Sequence, residues 1–212
     1  MPSTKPPAPA EPPAAPDDGP MSPVTAGPTA DRVQVERTLL HRLQAVDVAL
    51  SAVVAKEWSH PRWLTLPLGV VSLTGNYGLI WILLSIVGAA AGAGFSASRF
   101  LYVTVPVVAT EMITFGVKVL VRRRRPPEQE PGPEHIPLPL SPSFPSSHAS
   151  MGSVGFLTMT VLYPAWWPLF LALALVLDVS RVYLRVHFLA DVLVGVVLGL
   201  ALGLPYIALV HV

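Results

Sequence analysis

Long apolar stretches fill most of the chain after residue 63 and exclude most soluble folds. They cover residues 64–91, 100–121, 149–163, 169–183 and 188–210, with short polar or proline-rich segments between them. A helix crosses the bilayer with about 20 mainly apolar residues. Only 13% of the 212 residues are charged, about half of the share in ordinary soluble domains. We therefore predict an all-α fold, a polytopic membrane helical bundle of about five transmembrane helices, multi-pass in the cell membrane.

The first 60 residues differ from the rest in composition and are predicted to form two segments. Ten of the 24 prolines lie within residues 1–30; proline removes backbone donors, so we expect a disordered tail there. Residues 31–60 carry apolar side chains every three to four positions, with polar ones between them. This pattern indicates an amphipathic helix with Asp31 as its N-cap. Its polar positions are too frequent for a span, so we expect it in the membrane interface, with a soluble coiled-coil arm as the alternative.

Positive charge is concentrated in the polar segments of one membrane side. With five spans, the amphipathic helix, the 122–147 loop and the 182–187 turn all emerge on the same side. Thirteen of the 14 lysines and arginines lie there, and only Arg99 lies on the other side. The positive-inside rule would make that side cytoplasmic, but cations placed for chemistry would look the same, so the orientation stays open. The net charge of +1 gives no reason to expect a nucleic acid partner.

The first group of candidate site residues lies where the second span ends. Lys118 and Arg125 are seven residues apart, nearly two helical turns, so both project from one helix face near the membrane surface. Pro126 ends the helix beyond them. Clustered cations in a span are costly unless an anion compensates them. The alternative is a collar of arginines that binds lipid headgroups, and this is the role that we expect for residues 122–124.

A second group, Ser146-Ser147-His148, stands at the entrance to the third span. A helix N-terminus binds anions through its free backbone amides, and a serine hydroxyl adds a further donor. The alternative is that Ser146 only caps the helix and that His148 is an ordinary interfacial histidine.

The third group is Ser180-Arg181, followed by His187 and Asp191. His187 and Asp191 are one helical turn apart, so the carboxylate can accept a hydrogen bond from one ring nitrogen and fix the tautomer. The other nitrogen is then a directed nucleophile or base. A structural ion pair between Arg181 and Asp191 is the alternative.

Together, the three groups predict a phosphate site. They supply three cations, a hydroxyl with helix amides, and two imidazoles, all at one membrane face by the order of the spans. Phosphoryl transfer depends mainly on positioning and charge stabilisation by such donors, and a second imidazole can protonate the leaving oxygen. The sequence shows no Asp/His metal cluster, so we predict covalent histidine catalysis with neither a metal nor another cofactor.

In order and spacing, these groups resemble the three-part signature of the type 2 phosphatidic acid phosphatase family, which shares its site with vanadium haloperoxidases. The motifs are Lys118-x6-Arg125-Pro126, Pro145-Ser146-Ser147-His148 and Ser180-Arg181-x5-His187-x3-Asp191. The resemblance covers about residues 64–210 and implies a transmembrane lipid phosphatase domain over residues 61–212. It departs from the family at Ser147, where glycine is common.

The resemblance also implies a role for each motif residue. His187 would be the nucleophile that forms a phosphohistidine, Asp191 would orient it, and His148 would be the general acid. The residues that would hold the phosphate are Lys118, Arg125, Ser146, Ser147 and Arg181.

The implied substrate is a lipid phosphate monoester or diphosphate, such as phosphatidate, phosphatidylglycerophosphate or a polyprenyl phosphate or diphosphate. Two other functions compete with this one. A haloperoxidase with vanadate in the same site is disfavoured because those enzymes are soluble. A non-catalytic protein that binds or transports lipid phosphates would not need two placed imidazoles. Membrane lipids are the expected partners, and no pattern indicates a particular oligomeric state.

Overall fold

Helices make up the regular structure of the residues that the structure describes. The computed structural model describes residues 42–54, 59–91, 95–129 and 136–211, and within these ranges it contains no β-strand. They all belong to one compact unit, His41–Val212. The all-α fold class is therefore confirmed. The predicted tail, residues 1–30, and the predicted N-cap Asp31 lie outside the described residues.

Eight α-helices follow one another along the described residues. Helix α1 covers residues 42–54. The others are α2 (Arg62–Thr74), α3 (Leu79–Ala90), α4 (Ala97–Val121), α5 (Pro126–Gln129), α6 (Ser147–Leu162), α7 (Trp167–Tyr183) and α8 (Leu189–Leu209). Helices α4, α7 and α8 each belong to a helical segment long and apolar enough to cross a membrane. Helices α2 and α3 together make a fourth such segment, which is bent by 61°.

Helix α6 corresponds to the predicted third span, but it is the buried centre of the bundle. It has 16 residues, fewer than the roughly 20 that a crossing takes. Eleven of them are buried, because α4, α7 and α8 all pack against this helix. Among the described residues, up to four segments rather than the predicted five therefore have the length and composition of a span.

The first predicted span, residues 64–91, is interrupted at Gly75. The chain turns there through a short 3₁₀ segment, Asn76–Gly78, in which Tyr77 and Gly78 have φ values of 55° and 68°. Glycine adopts such angles without steric cost, and a Cβ at Gly78 would lie 2.4 Å from Cγ1 of Val107. The apolar run continues on both sides of the break. Hydropathy alone therefore predicts one continuous helix. The glycines and the asparagine at the break are the residues that signal a turn.

Helices α6 and α8 pack so closely that their backbones nearly touch. Gly195, Gly199 and Gly203 of α8 face α6. A Cβ at Gly199 would lie 2.3 Å from the carbonyl oxygen of Ser150, and one at Gly195 would lie 2.6 Å from that of Ser146. Small residues at such positions allow helix backbones to approach. The contact sets the distance between the first turns of α6 and α8, which carry two of the predicted motifs.

Replacing Gly199 by alanine is expected to destabilise the protein by about 1–3 kcal/mol, because the added methyl group must push α6 away from α8. Thermal unfolding in detergent measures this effect. The matched control is Gly116→Ala on α4, where a Cβ meets no atom within 4 Å. The control should be neutral or stabilising by up to about 1 kcal/mol, since alanine is the better helix former. A Gly199→Ala variant as stable as the wild type would contradict the close packing.

Helix α1 has a polar buried face and an apolar exposed face. Asp47 and Ser51 are buried, whereas Leu43, Val46 and Leu50 are each more than half exposed. Residues 42–54 of the predicted amphipathic helix are therefore helical and amphipathic, whereas its last two residues, Ser59 and His60, are not helical. Its placement in the membrane interface remains a prediction.

The predicted loop, residues 122–147, contains eight prolines within residues 126–145 and includes one helical turn. Pro126 and Pro127 open α5, a position where the missing N–H of proline costs nothing. Oε2 of Glu128 accepts a hydrogen bond from the backbone N–H of Arg125 at 3.1 Å and so holds the turn. The loop prediction was wrong for these four residues. Residues 136–145 are not helical.

Candidate active site

A cavity of about 260 Å³ opens where the three predicted motifs meet. The predicted site residues on its wall are Lys118, Arg125, Ser147, His148, Arg181 and His187. The cations come from the end of α4, the segment after it and the end of α7, while the two histidines come from the start of α6 and the turn before α8. Ser146 and Asp191 are fully buried beside these residues and are not part of the described wall.

His187 is held between a cation and a carboxylate. Its Nε2 lies 3.3 Å from Nη1 of Arg125, and its Nδ1 lies 3.5 Å from Oδ2 of Asp191. A guanidinium can only donate, so Nε2 is the acceptor and the ring hydrogen lies on Nδ1, toward Asp191. Burial, and after it the positive charges of Arg181 and Arg125, hold the pKa of His187 well below the 6.5 usual for histidine. The ring is therefore neutral, and its unprotonated nitrogen, Nε2, faces the Arg125 guanidinium.

Asp191 is fully buried and has three partners besides His187. Its Oδ1 accepts a hydrogen bond from Nη1 of Arg123 at 2.6 Å, and its Oδ2 accepts one from the backbone N–H of Phe188 at 3.0 Å. Its backbone carbonyl accepts the N–H of Ser146 at 2.9 Å, which ties the second motif to the third. The ion pair of Asp191 is with Arg123, and the alternative pairing with Arg181 is not found.

Ser72 on α2 holds two site residues and was missed by sequence reasoning. Its backbone carbonyl accepts a hydrogen bond from Nε2 of His148 at 2.9 Å, and its hydroxyl accepts one from Nη1 of Arg181. A carbonyl cannot donate, so Nε2 of His148 carries its hydrogen and Nδ1 is the nitrogen free to exchange a proton. A lone serine in an apolar helix signals a polar contact with a neighbouring helix, but not which residue it contacts. Asp178, three residues before Arg181 on α7, has its Oδ1 buried without a partner.

Backbone carbonyls occupy the donors of Lys118 and Arg125. Nζ of Lys118 donates to the Pro142 carbonyl at 3.0 Å. Arg125 donates from Nε to the Ser141 carbonyl at 3.0 Å and from Nη1 to the Val186 carbonyl at 2.8 Å. These carbonyls satisfy hydrogen-bond donors of the two buried cations.

The two serines of the second motif differ in position. The Ser146 hydroxyl does not cap α6 and has no partner, while its backbone N–H is used by Asp191. Ser147 lines the cavity, and its hydroxyl is also unpartnered. Glu111, on the same wall, has an unpartnered Oε2. Ser147 is therefore better placed than Ser146 to meet a ligand.

The sequence predicted Arg123 as part of a collar that binds lipid headgroups. The structure contradicts this for Arg123, because its side chain has other partners. Both its terminal nitrogens are engaged, one with Asp191 and the other with Asp47 of α1, at 2.6 Å each. Its guanidinium also stacks over the ring of Phe188, 4.3 Å from the centroid. Arg122 and Arg124 remain exposed. No signal in the sequence separates Arg123 from these two neighbours, because its partners are distant along the chain.

Comparison with known proteins gives one family and two similar structures. The sequence matches the model of the PAP2 superfamily over residues 99–212, more than half of the chain. The fold is similar to the first transmembrane PAP2 type phosphatidylglycerolphosphate phosphatase from Bacillus subtilis, with a TM-score of 0.64 and 23% identity over 79% of this chain and 85% of that chain. It is also similar to Aquifex aeolicus LpxE, with a TM-score of 0.62 and 19% identity over 76% of this chain and 93% of that chain. No curated protein sequence gives a significant match.

The apolar helices and the family match define the class of the protein, a membrane phosphatase that acts on phosphoric esters. The chain belongs to the PAP2 superfamily. This confirms the family that the three motifs resemble.

Proposed function

We propose that the protein hydrolyses lipid phosphate monoesters or diphosphates through a phosphohistidine on His187, without a metal. The contact between Nη1 of Arg125 and Nε2 of His187 is the observation that carries the proposal. It requires an unprotonated Nε2 beside a cluster of cations, which is the state that a nucleophile needs to attack a phosphate. The hydrogen on Nδ1 faces Asp191, which orients the ring.

In the first step, Nε2 of His187 forms a bond to phosphorus while the bond from phosphorus to the lipid oxygen breaks. His148, protonated on Nδ1, donates this proton to the leaving oxygen, while its Nε2 stays bonded to the Ser72 carbonyl. In the second step, water attacks the phosphohistidine and gives a proton back to His148. Phosphate leaves, and His187 is again neutral.

In this proposal, Lys118, Arg125 and Arg181 stabilise the negative charge of the transferred phosphoryl group. All three side chains are buried on the cavity wall, where charge–charge interactions are stronger than in water. Nε of Arg181 is buried and has no partner, so it is available to a phosphate oxygen. The unpartnered hydroxyl of Ser147 offers a further donor.

The helical membrane bundle around the cavity favours a lipid substrate in the cell membrane. The similar protein from Bacillus subtilis is a phosphatidylglycerolphosphate phosphatase, and phosphatidate and polyprenyl phosphates or diphosphates offer the same reacting group. The competing function, binding or transport without catalysis, does not account for a fixed histidine tautomer beside a second histidine with a free nitrogen.

Phosphate release by the purified protein in detergent tests the proposal. Phosphatidate, phosphatidylglycerophosphate, a polyprenyl phosphate and a polyprenyl diphosphate are compared, each with and without EDTA. We expect release from at least one lipid, unchanged by EDTA and inhibited by vanadate, because the three cations replace a metal and vanadate resembles the transferring phosphoryl group. The described residues contain no group of three or more His, Asp or Glu side chains placed to hold a metal. A strict magnesium requirement would refute metal-independent catalysis.

A further inference from the structure

Helix α1 supplies the hydrogen-bond acceptors for the first turn of α8. The opening amides of a helix lack partners within the helix. Here the N–H of Leu189 donates to the hydroxyl of Ser51 at 2.8 Å, and the N–H of Ala190 donates to Oδ1 of Asp47 at 2.8 Å. Two side chains more than 130 positions earlier in the sequence thus cap the helix that carries Asp191.

Arg123 connects this contact between α1 and α8 to the carboxylate of Asp191. Its Nη2 lies 2.6 Å from Oδ2 of Asp47, and its Nη1 lies 2.6 Å from Oδ1 of Asp191. The Arg123 side chain is 17% exposed, that of Asp47 is 10% exposed and that of Asp191 is fully buried. The three groups form a chain of carboxylate, guanidinium and carboxylate that runs from the surface of α1 into the site.

The contacts among Asp47, Arg123 and Asp191 determine which carboxylate oxygen of Asp191 faces His187. Oδ1 is taken by Arg123, whereas Oδ2 accepts the Phe188 amide and lies 3.5 Å from Nδ1 of His187. Without Arg123, the fully buried Oδ1 would lose this charged partner, and the carboxylate would gain by rotating toward another donor. Asp47 in turn holds Arg123, because it binds the other arm of the same guanidinium.

We infer that Asp47 and Arg123 are positioning residues, which act on the reaction by holding the Asp191 carboxylate toward His187. The inference rests on the proposed function of His187. It makes docking of the N-terminal helix a condition for efficient catalysis, although neither residue lies on the cavity wall.

The test is Asp47→Asn, measured as kcat and KM in detergent. Asparagine keeps the shape and the oxygen that caps Ala190, but removes the charge that pairs with Arg123. We expect kcat to fall about tenfold, the effect of one lost charge-assisted bond, with KM within about twofold because Asp47 does not touch substrate. Arg123→Gln should give the same pattern. The matched control for charge removal is Arg42→Gln, an exposed arginine on α1, which should keep the wild-type kcat.

The same substitution in a protein that already carries Asp191→Asn separates positioning by Asp47 from a loss of stability. If Asp47 acts through Asp191, Asp47→Asn should lower kcat by less than about twofold in an Asp191→Asn protein, because interacting residues are not additive. An equal loss in both backgrounds would overturn the inference. So would a Ser51→Ala variant, which removes only the Leu189 cap, with as large a loss of kcat as Asp47→Asn.

The possible outcomes distinguish a failure of this inference from a failure of the proposed function. A wild-type protein that releases no phosphate from any of the four lipids refutes the proposed function, and the inference with it. An active wild type with an equally active Asp47→Asn and Arg123→Gln refutes the inference alone. If Asp47→Asn does not elute as a single species in detergent, Arg123→Gln in the two backgrounds decides in the same way.

Discussion

Replacing His187 by alanine is expected to reduce phosphate release to the assay background, a loss of roughly 10⁴- to 10⁶-fold. The variant lacks the nitrogen that Arg125 contacts at 3.3 Å, so no covalent intermediate can form. Steady-state phosphate release is measured with the lipid of the panel that the wild type hydrolyses fastest. The covalent, acid-labile label that radioactive substrate leaves on the protein is measured in parallel. The control is His211→Ala, an exposed histidine beyond the end of α8, which should be labelled and turn over like the wild type.

His148→Ala is expected to differ from His187→Ala in kind. It keeps the nucleophile but lacks the proton donor, so label should still enter the protein, about 10²–10⁴ times more slowly. Near-wild-type release by His187→Ala, or labelling of that variant, would show that another residue attacks the phosphate.

Replacing Arg125 by lysine is expected to lower kcat about ten- to a hundredfold, although the positive charge is kept. Arg125 contacts the Ser141 carbonyl, the Val186 carbonyl and Nε2 of His187 from different nitrogens of one planar group. An ammonium is a point charge and cannot reproduce that geometry. Losing one charge-assisted bond from the transition state costs on the order of 1.5–3 kcal/mol, which gives this range of rates.

Arg124→Lys is the control for this substitution, because Arg124 is exposed and adjacent in sequence. Both variants are compared by kcat at matched expression in membranes. Small, equal effects at the two positions would favour the headgroup collar over the phosphate site. Arg123 is unsuitable as a control, because its guanidinium binds Asp191.

What could be predicted from the sequence is what depends on contiguous motifs. The Lys118–Arg125 and His187–Asp191 intervals identify groups that the structure does bring together. The single helix assumed for each pair was wrong, because α4 ends at Val121, before Arg125, and α8 begins at Leu189, after His187. Hydropathy located α4, α7 and α8 to within a few residues. It could not show the break at Gly75, since both halves of that segment are apolar.

Contacts between distant segments could not be predicted in the same way. Ser72 and Asp47 are small polar residues without a motif, and each matters only because another helix places a donor beside it. From the sequence, Arg181 is the candidate ion-pair partner of Asp191. The structure selects Arg123 because it leaves α4 on the side of α1 and α8.

The carbonyl contacts of Lys118 and Arg125 have a consequence for the release of product. Residues 136–145 contain four prolines, which offer carbonyl oxygens without competing N–H groups. These contacts fix the directions of the Lys118 ammonium and the Arg125 guanidinium on the cavity wall. In the proposed reaction, a phosphate group would replace these carbonyls as acceptor and would gain less than it would from unsatisfied cations. Inorganic phosphate is then expected to leave readily, because the same carbonyls can accept the hydrogen bonds again.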